Sequence, residues 1–126
     1  MQPSPNLNKA AVLPASGNQL FPAFIKLNEL RTLLVGAGEV GLEKLNAIVN
    51  NSTAAQVTVI AKEVHTAVAE IASLNAKVKI KRKTFSVEDL EDVDIVFAAT
   101  NDNDFNVELR KLAHQKGLLI NIADKP

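Results

Sequence analysis

The chain contains no cysteine. Disulfides and thiolate metal sites are therefore excluded. It has no excess of charge of either sign: 14 Lys and Arg stand against 14 Asp and Glu. That balance gives no reason to expect a polyanion such as nucleic acid as a partner. Histidine is scarce. His65 and His114 are far apart and lack ligand-spaced partners, so both read as surface residues rather than catalysts, and no metal site is expected. No apolar run approaches the roughly 18 residues of a membrane span. The N-terminus carries little positive charge, and "AAVLPA" is too short for a signal-peptide core. A cytoplasmic protein without membrane contact is the default expectation.

What is present suits one domain with a real core: 126 residues, 47% of them hydrophobic. Residues 1–19 hold Pro3, Pro5 and Pro14 among Asn, Ser and Gly, and read as a loose tail. "LFPAFIKL", 20–27, reads as a strand that Pro22 confines to a sheet edge or a strand start. From there strands and helices alternate. "RTLLVG" and "DIVFAAT" are short apolar runs without period-2 alternation, as in strands buried on both faces. "QVTVIA", "VKIKRK" and "LLINIA" read as the other strands. "EVGLEKLNAIVNN" places Gly41, Leu45, Ile48 and Val49 on one helical face. "EVHTAVAEIASLN" does the same with Val64, Ala67, Val68 and Ile71, and puts His65 in the helix's first turn. "SVEDL" predicts a short helix capped by Ser86. "DFNVELRKLAHQKG" predicts a helix with Phe105, Leu109, Leu112 and Ala113 inward, stopped at Gly117. The alternation predicts an α/β fold, Rossmann-like and doubly wound, with a mostly parallel sheet over residues 20–126.

"GAGEVG" is a complete G-x-G-x-x-G, at Gly36, Gly38 and Gly41. The first glycine permits a sharp turn off the strand, the second lets the backbone approach a pyrophosphate, and the third allows close helix–strand packing. The helix N-terminus that follows points N–H groups at the phosphates. The buried strand before and the amphipathic helix after supply the context this motif needs. Dinucleotide binding is therefore expected rather than a bare turn.

An acid for the ribose 2′-OH is expected about 20 residues on, at the end of the second strand. Ala61 stands there, followed by Lys62 and Glu63. Glu63 reads equally as a ribose ligand or as a carboxylate favouring a helix N-terminus. Lys62 suits a 2′-phosphate. The residues alone leave NAD and NADP both open. Ligands bind outside the carboxyl ends of parallel strands. The same rim should therefore carry Thr100, Asn101 and Asp102, and then Asp124 and Lys125. Thr100-Asn101-Asp102 reads both as an N-cap and as a contact for the nicotinamide half. Asp124 reads as a general base or as an ordinary turn residue. "KVKIKRK" reads as an exposed strand face, with a site for an anionic ligand as the lesser alternative.

Together, "LFPAFIKL", "LLVGAGEVGLEKL", "VTVIA", "DIVFAATND", "FN" and "LINIADKP" resemble the precorrin-2 dehydrogenases, in order and in spacing. These are the NAD-binding domains of siroheme synthases, and some are also sirohydrochlorin ferrochelatases. "FAATND" parallels the family's A-A-T-D-D with Asn101 in place of the first Asp. "NIADKP" parallels its N-V-x-D-x-P. The family often lacks an acid after the second strand, which tilts the cofactor to NAD.

The resemblance implies oxidation of precorrin-2 to sirohydrochlorin in siroheme or corrinoid biosynthesis. Asp124 would be the catalytic base. Gly36, Gly38, Glu39, Val40 and Gly41 would hold the pyrophosphate. Ala61, Lys62 and Glu63 would border the adenosine ribose, and Thr100 and Asn101 the nicotinamide ribose. Family members continue with a dimerisation region and a helical region beyond the point where this sequence stops. The expectation is therefore the cofactor-binding part of such an enzyme, homodimeric as a full-length chain. Two competing readings are a nucleotide-sensing regulatory Rossmann domain of the potassium-transporter type and a remnant fold with only an interaction role.

Overall fold

The computed structural model describes residues 27–123. The expected tail, nearly all of the expected strand 20–27, and Asp124 and Lys125 lie outside the described residues. Leu27, the last residue of that expected strand, opens a 3-10 turn, Leu27–Glu29, and is buried.

Five strands follow: β1 Arg31–Val35, β2 Gln56–Ile60, β3 Val78–Lys81, β4 Ile95–Ala98 and β5 Leu119–Ile122. Three helices connect them: α1 Glu39–Asn51 after β1, α2 Thr66–Leu74 after β2 and α3 Asn103–Gln115 after β4. Between β3 and β4 the chain makes only a 3-10 turn, Val87–Leu90, which Ser86 closes with a capping box to Asp89. All four strand pairings are parallel, and the sheet order is β3-β2-β1-β4-β5. The order reverses between β1 and β4. In an open parallel sheet this switch point is where a crevice forms.

The apolar runs behave as their composition requires. Four of the five residues of β1 and all four of β4 are buried, because both faces are covered. Leu34, Val57, Val59, Ile95 and Phe97 face α1 and α2, where Val40, Leu45, Ile48 and Val68 meet them. Leu33, Val35, Ile60, Val96 and Ala98 face the other way, toward Leu90 of the 3-10 turn and Leu109 of α3. β3 is an edge strand. Val78 and Ile80 pack inward while Lys79 and Lys81 remain exposed, and this charge discourages pairing with another chain.

Helix α2 begins at Thr66, three residues later than the periodicity suggests. His65 is its N-cap rather than part of its first turn: Nδ1 accepts from the Ala67 N–H at 3.0 Å. Glu63 consequently stands ahead of the cap and not in the helix. His114 lies in the last turn of α3, where a cation is favoured.

The amino ends of β1 and β4 are fastened by charge. The Arg31 side chain donates to both Asp94 carboxylate oxygens at 3.1 Å, and its N–H donates to Oδ2 at 2.8 Å. Those bonds to Arg31 hold the Asp94 carboxyl below its ordinary value, against a smaller opposing effect of burial. A depressed native value means this contribution is present above the unfolded-state value, about pH 4. It is lost as pH falls through the native value. Asp94→Asn should lower the urea midpoint at pH 7, and the difference from the unaltered chain should close on titration toward pH 2.

Candidate functional site

The carboxyl ends of β1, β2 and β4 converge on a cleft of about 300 Å³. Its floor is the glycine turn, Gly36 to Val40. One side is Ile60 to Glu63, and the other is Ala99 to Asn101 with Phe105. Lys83, Thr84 and Phe85, from the connection after β3, close a further side. The Phe85 and Phe105 rings meet edge-on at 5.7 Å.

The turn is fixed on each flank. Gly36 N–H donates to Ile60 O at 3.0 Å, His65 N–H donates to Ala37 O at 2.8 Å, and Ala99 N–H donates to Val35 O at 2.8 Å. Each glycine then faces a different environment. Gly36 has φ +113°, and a Cβ there would run into the Ala99 carbonyl, with its carbon at 2.7 Å. Gly41 is buried in α1, and a Cβ would strike the carbonyl of Gly36. Gly38 meets nothing within 4 Å. Its missing side chain leaves open the space over the turn.

Gly38 is also the N-cap of α1, and α1 has no side-chain cap. The caps of α2 and α3 are supplied by His65 and Asp102. The first N–H groups of α1 thus have neither a helical partner nor a cap. They stand at the floor of the cleft with the positive end of the helix dipole. This arrangement fits a pyrophosphate: unpaired donors, a favourable dipole and no atom crowding Gly38.

Lys62 and Glu63 lie on the β2 side, both exposed. Lys83 is committed to Asp89, at 2.5 Å, and to Ser86. Burial alone would raise the Asp89 carboxyl, but the bonds from Lys83 and Ser86 outweigh it and hold it below its ordinary value. On the β4 side Asn101 is exposed, whereas the Thr100 hydroxyl is used internally. It donates to Asn106 Oδ1 at 2.6 Å and accepts from Asp102 N–H at 3.1 Å. The structure thus brings together Gly36, Gly38, Glu39, Val40, Ala61, Lys62, Glu63, Thr100 and Asn101 around one cleft, with Gly41 directly beneath its floor.

Sequence reasoning missed the wall formed by Lys83, Thr84 and Phe85. Nothing in the spacing signalled it, because the connection after β3 carries no motif. Asn106, quoted only as part of "FN", has no role in the sequence reading, and the structure buries it in α3.

A larger hollow, about 570 Å³, follows the amino ends of β1 and β2 and the lysine-bearing face of β3. It lies away from the glycine turn, the uncapped helix and the switch point. Size alone does not make it the site.

A sheet with this switch point, a G-x-G-x-x-G turn and an uncapped helix facing the crevice define a Rossmann-type dinucleotide-binding domain. The family comparison agrees. The model described as "Putative NAD(P)-binding" matches residues 23–126, and the chain belongs to that family. Among similar proteins, the siroheme synthase of Methylococcus capsulatus is 33% identical over 105 residues, which are 83% of this chain and 22% of that protein. The siroheme synthase of Buchnera aphidicola is 35% identical over 103 residues, 82% of this chain and 21% of that protein. A solved precorrin-2 dehydrogenase, SirC, superimposes with a TM-score of 0.67 at 25% identity, over 82% of this chain and 49% of that one. The chain thus spans about a fifth of those synthases and half of the dehydrogenase. These likenesses do not favour the nucleotide-sensing alternative. Among the described residues no helix is long and apolar enough to cross a membrane.

The glycines make opposite predictions. Gly38→Val should leave the melting temperature within about 3 °C, as for a surface change, and weaken NADH binding at least about tenfold. Gly41→Val should cost at least about 2 kcal/mol in urea unfolding through overpacking. NADH fluorescence reads the binding without interference from tryptophan, since the chain has none.

Proposed function

We propose that this chain is the NAD-binding part of a precorrin-2 dehydrogenase, acting in the oxidation of precorrin-2 to sirohydrochlorin. The observation that carries the cofactor half of this reading is the uncapped N-terminus of α1 over Gly38, at the switch point of the sheet. The substrate half rests on the siroheme synthases and the dehydrogenase to which the chain is similar.

A bound NAD⁺ supplies the hydride acceptor. The backbone N–H groups of Glu39, Val40 and Gly41 hold its pyrophosphate, and the open space at Gly38 admits it. Ala61, Lys62 and Glu63 border the adenosine ribose. On the opposite side, the backbone of Thr100 and the side chain of Asn101 border the nicotinamide half.

Oxidation also releases a proton, and we assign its acceptance to Asp124. This residue follows Ala123, whose N–H donates to Ala98 O at 2.8 Å and so continues the sheet beyond β5 toward the rim. The assignment rests on the "NIADKP" resemblance and on that position in the chain. Lys125, the next residue in the sequence, is assigned to the carboxylates of the tetrapyrrole. In a longer chain carrying the dimerisation region, we place the enzyme as a cytoplasmic homodimer.

Anaerobic mixing with precorrin-2 and NAD⁺ tests this, with the visible band of sirohydrochlorin as readout. The band should grow, and Asp124→Asn should slow it about a hundredfold or more, the range for loss of a general base, while NADH affinity stays within about twofold. A flat trace from a chain that binds NADH would refute turnover by these residues and leave the cofactor reading standing.

A further inference from the structure

The dinucleotide must cross the switch point, with its pyrophosphate at the glycine turn and its adenosine ribose at the end of β2. Its other half therefore falls beside the end of β4, at Ala99, Thr100 and Asn101. What fixes that loop is a side chain outside the cleft. Asn106 lies one turn into α3 and is 3% exposed. Its Oδ1 accepts the Thr100 hydroxyl at 2.6 Å, and its Nδ2 donates to the Thr100 carbonyl at 3.2 Å. The two bonds close a ring around one residue. The Thr100 carbonyl can only accept, so the orientation of the carboxamide is determined. The Thr100 hydroxyl also accepts from Asp102 N–H at 3.1 Å, so its hydrogen and one lone pair are both spent inside the loop. The Asn101 side chain makes no hydrogen bond among the described residues and remains available to a ligand.

We propose that Asn106 is the positioning residue of the nicotinamide half of the site, holding Thr100 so that Asn101 and the loop backbone meet the cofactor at a set distance from the glycine turn. The mechanical link is backbone to backbone. Thr100 follows Ala99, whose carbonyl occupies the place a Gly36 side chain would need, and Ala99 N–H is bonded to Val35 O. The loop cannot shift without moving against the turn, and Asn106 removes its remaining freedom on the α3 side. The Thr100 hydroxyl, by this account, serves the loop and does not bond the ribose. This inference rests on the cofactor reading above.

The test uses the 126-residue chain, Asn106→Leu, Thr100→Val and the double variant. NADH and ADP are titrated separately. ADP carries the adenosine and pyrophosphate but no nicotinamide half. Asn106→Leu should bind ADP within about twofold of the unaltered chain and NADH about tenfold more weakly, the scale of a misplaced contact. Thr100→Val should lose NADH affinity several-fold, and the double variant should bind no worse than Asn106→Leu, because both changes break one device. An unchanged NADH-to-ADP ratio would overturn the proposal, and so would parallel loss of both ligands. Additive losses would overturn it as well, since they would mean that the Thr100 hydroxyl acts on the cofactor directly. If Asn106→Leu does not fold, the ratio in Thr100→Val decides alone. Failure of the unaltered chain to bind either ligand would sink the cofactor reading, and this proposal with it.

Discussion

Three stretches of backbone meet without side chains between them, and the rest of the structure is arranged around that meeting. The Ala99 carbonyl fills the place of a Gly36 Cβ, and the Gly36 carbonyl fills that of a Gly41 Cβ. Strand β1, helix α1 and the end of β4 are thereby brought closer than any residue with a Cβ would allow. The crevice at the switch point, the aim of α1 and the height of the Thr100 loop all follow from this contact. Hydrogen bonds from Gly36 to Ile60 and from Ala99 to Val35 keep the three pieces in register.

Much of the fold was legible because its signals were long and consistent. The apolar runs of β1 and β4 were read as strands covered on both faces, and all of β4 is buried. The sequence places Phe105, Leu109, Leu112 and Ala113 on the inner face of α3; Leu109 and Ala113 are fully buried, and Phe105 and Leu112 pack partly buried against the same core. The early start assigned to α2 had a physical cause: Val64 fits the apolar period but lies in the loop, where it still packs against the core. Periodicity registers burial. It does not register where helical hydrogen bonds begin, and His65 determines that through its ring nitrogen.

The site was legible in part. The three glycines declare a turn and a close approach, and each has a distinct steric setting in the structure. The rim rule collected Ala61, Lys62, Glu63, Thr100 and Asn101, because strand order decides which ends meet. Two contributions carry no local signature. Lys83 to Phe85 line the cleft from the stretch between β3 and the 3-10 turn, which carries no motif. Asn106 stands in the quoted "FN" without a role until its two bonds to Thr100 are seen.

The strand order also bears on how the molecule assembles. β1 pairs with β2 across one helical crossover, but its other neighbour is β4, and 63 positions separate Arg31 from Asp94 at the start of that pairing. Closing so distant a contact is entropically costly and slow compared with local structure. A chain emerging during synthesis can therefore build β1, α1, β2, α2 and β3 before β4 exists. In that nascent segment the glycine turn has all three of its glycines, but not the Ala99 carbonyl against which Gly36 rests. The complete motif is present early in the sequence, while the seat that shapes it arrives only with the second half of the chain.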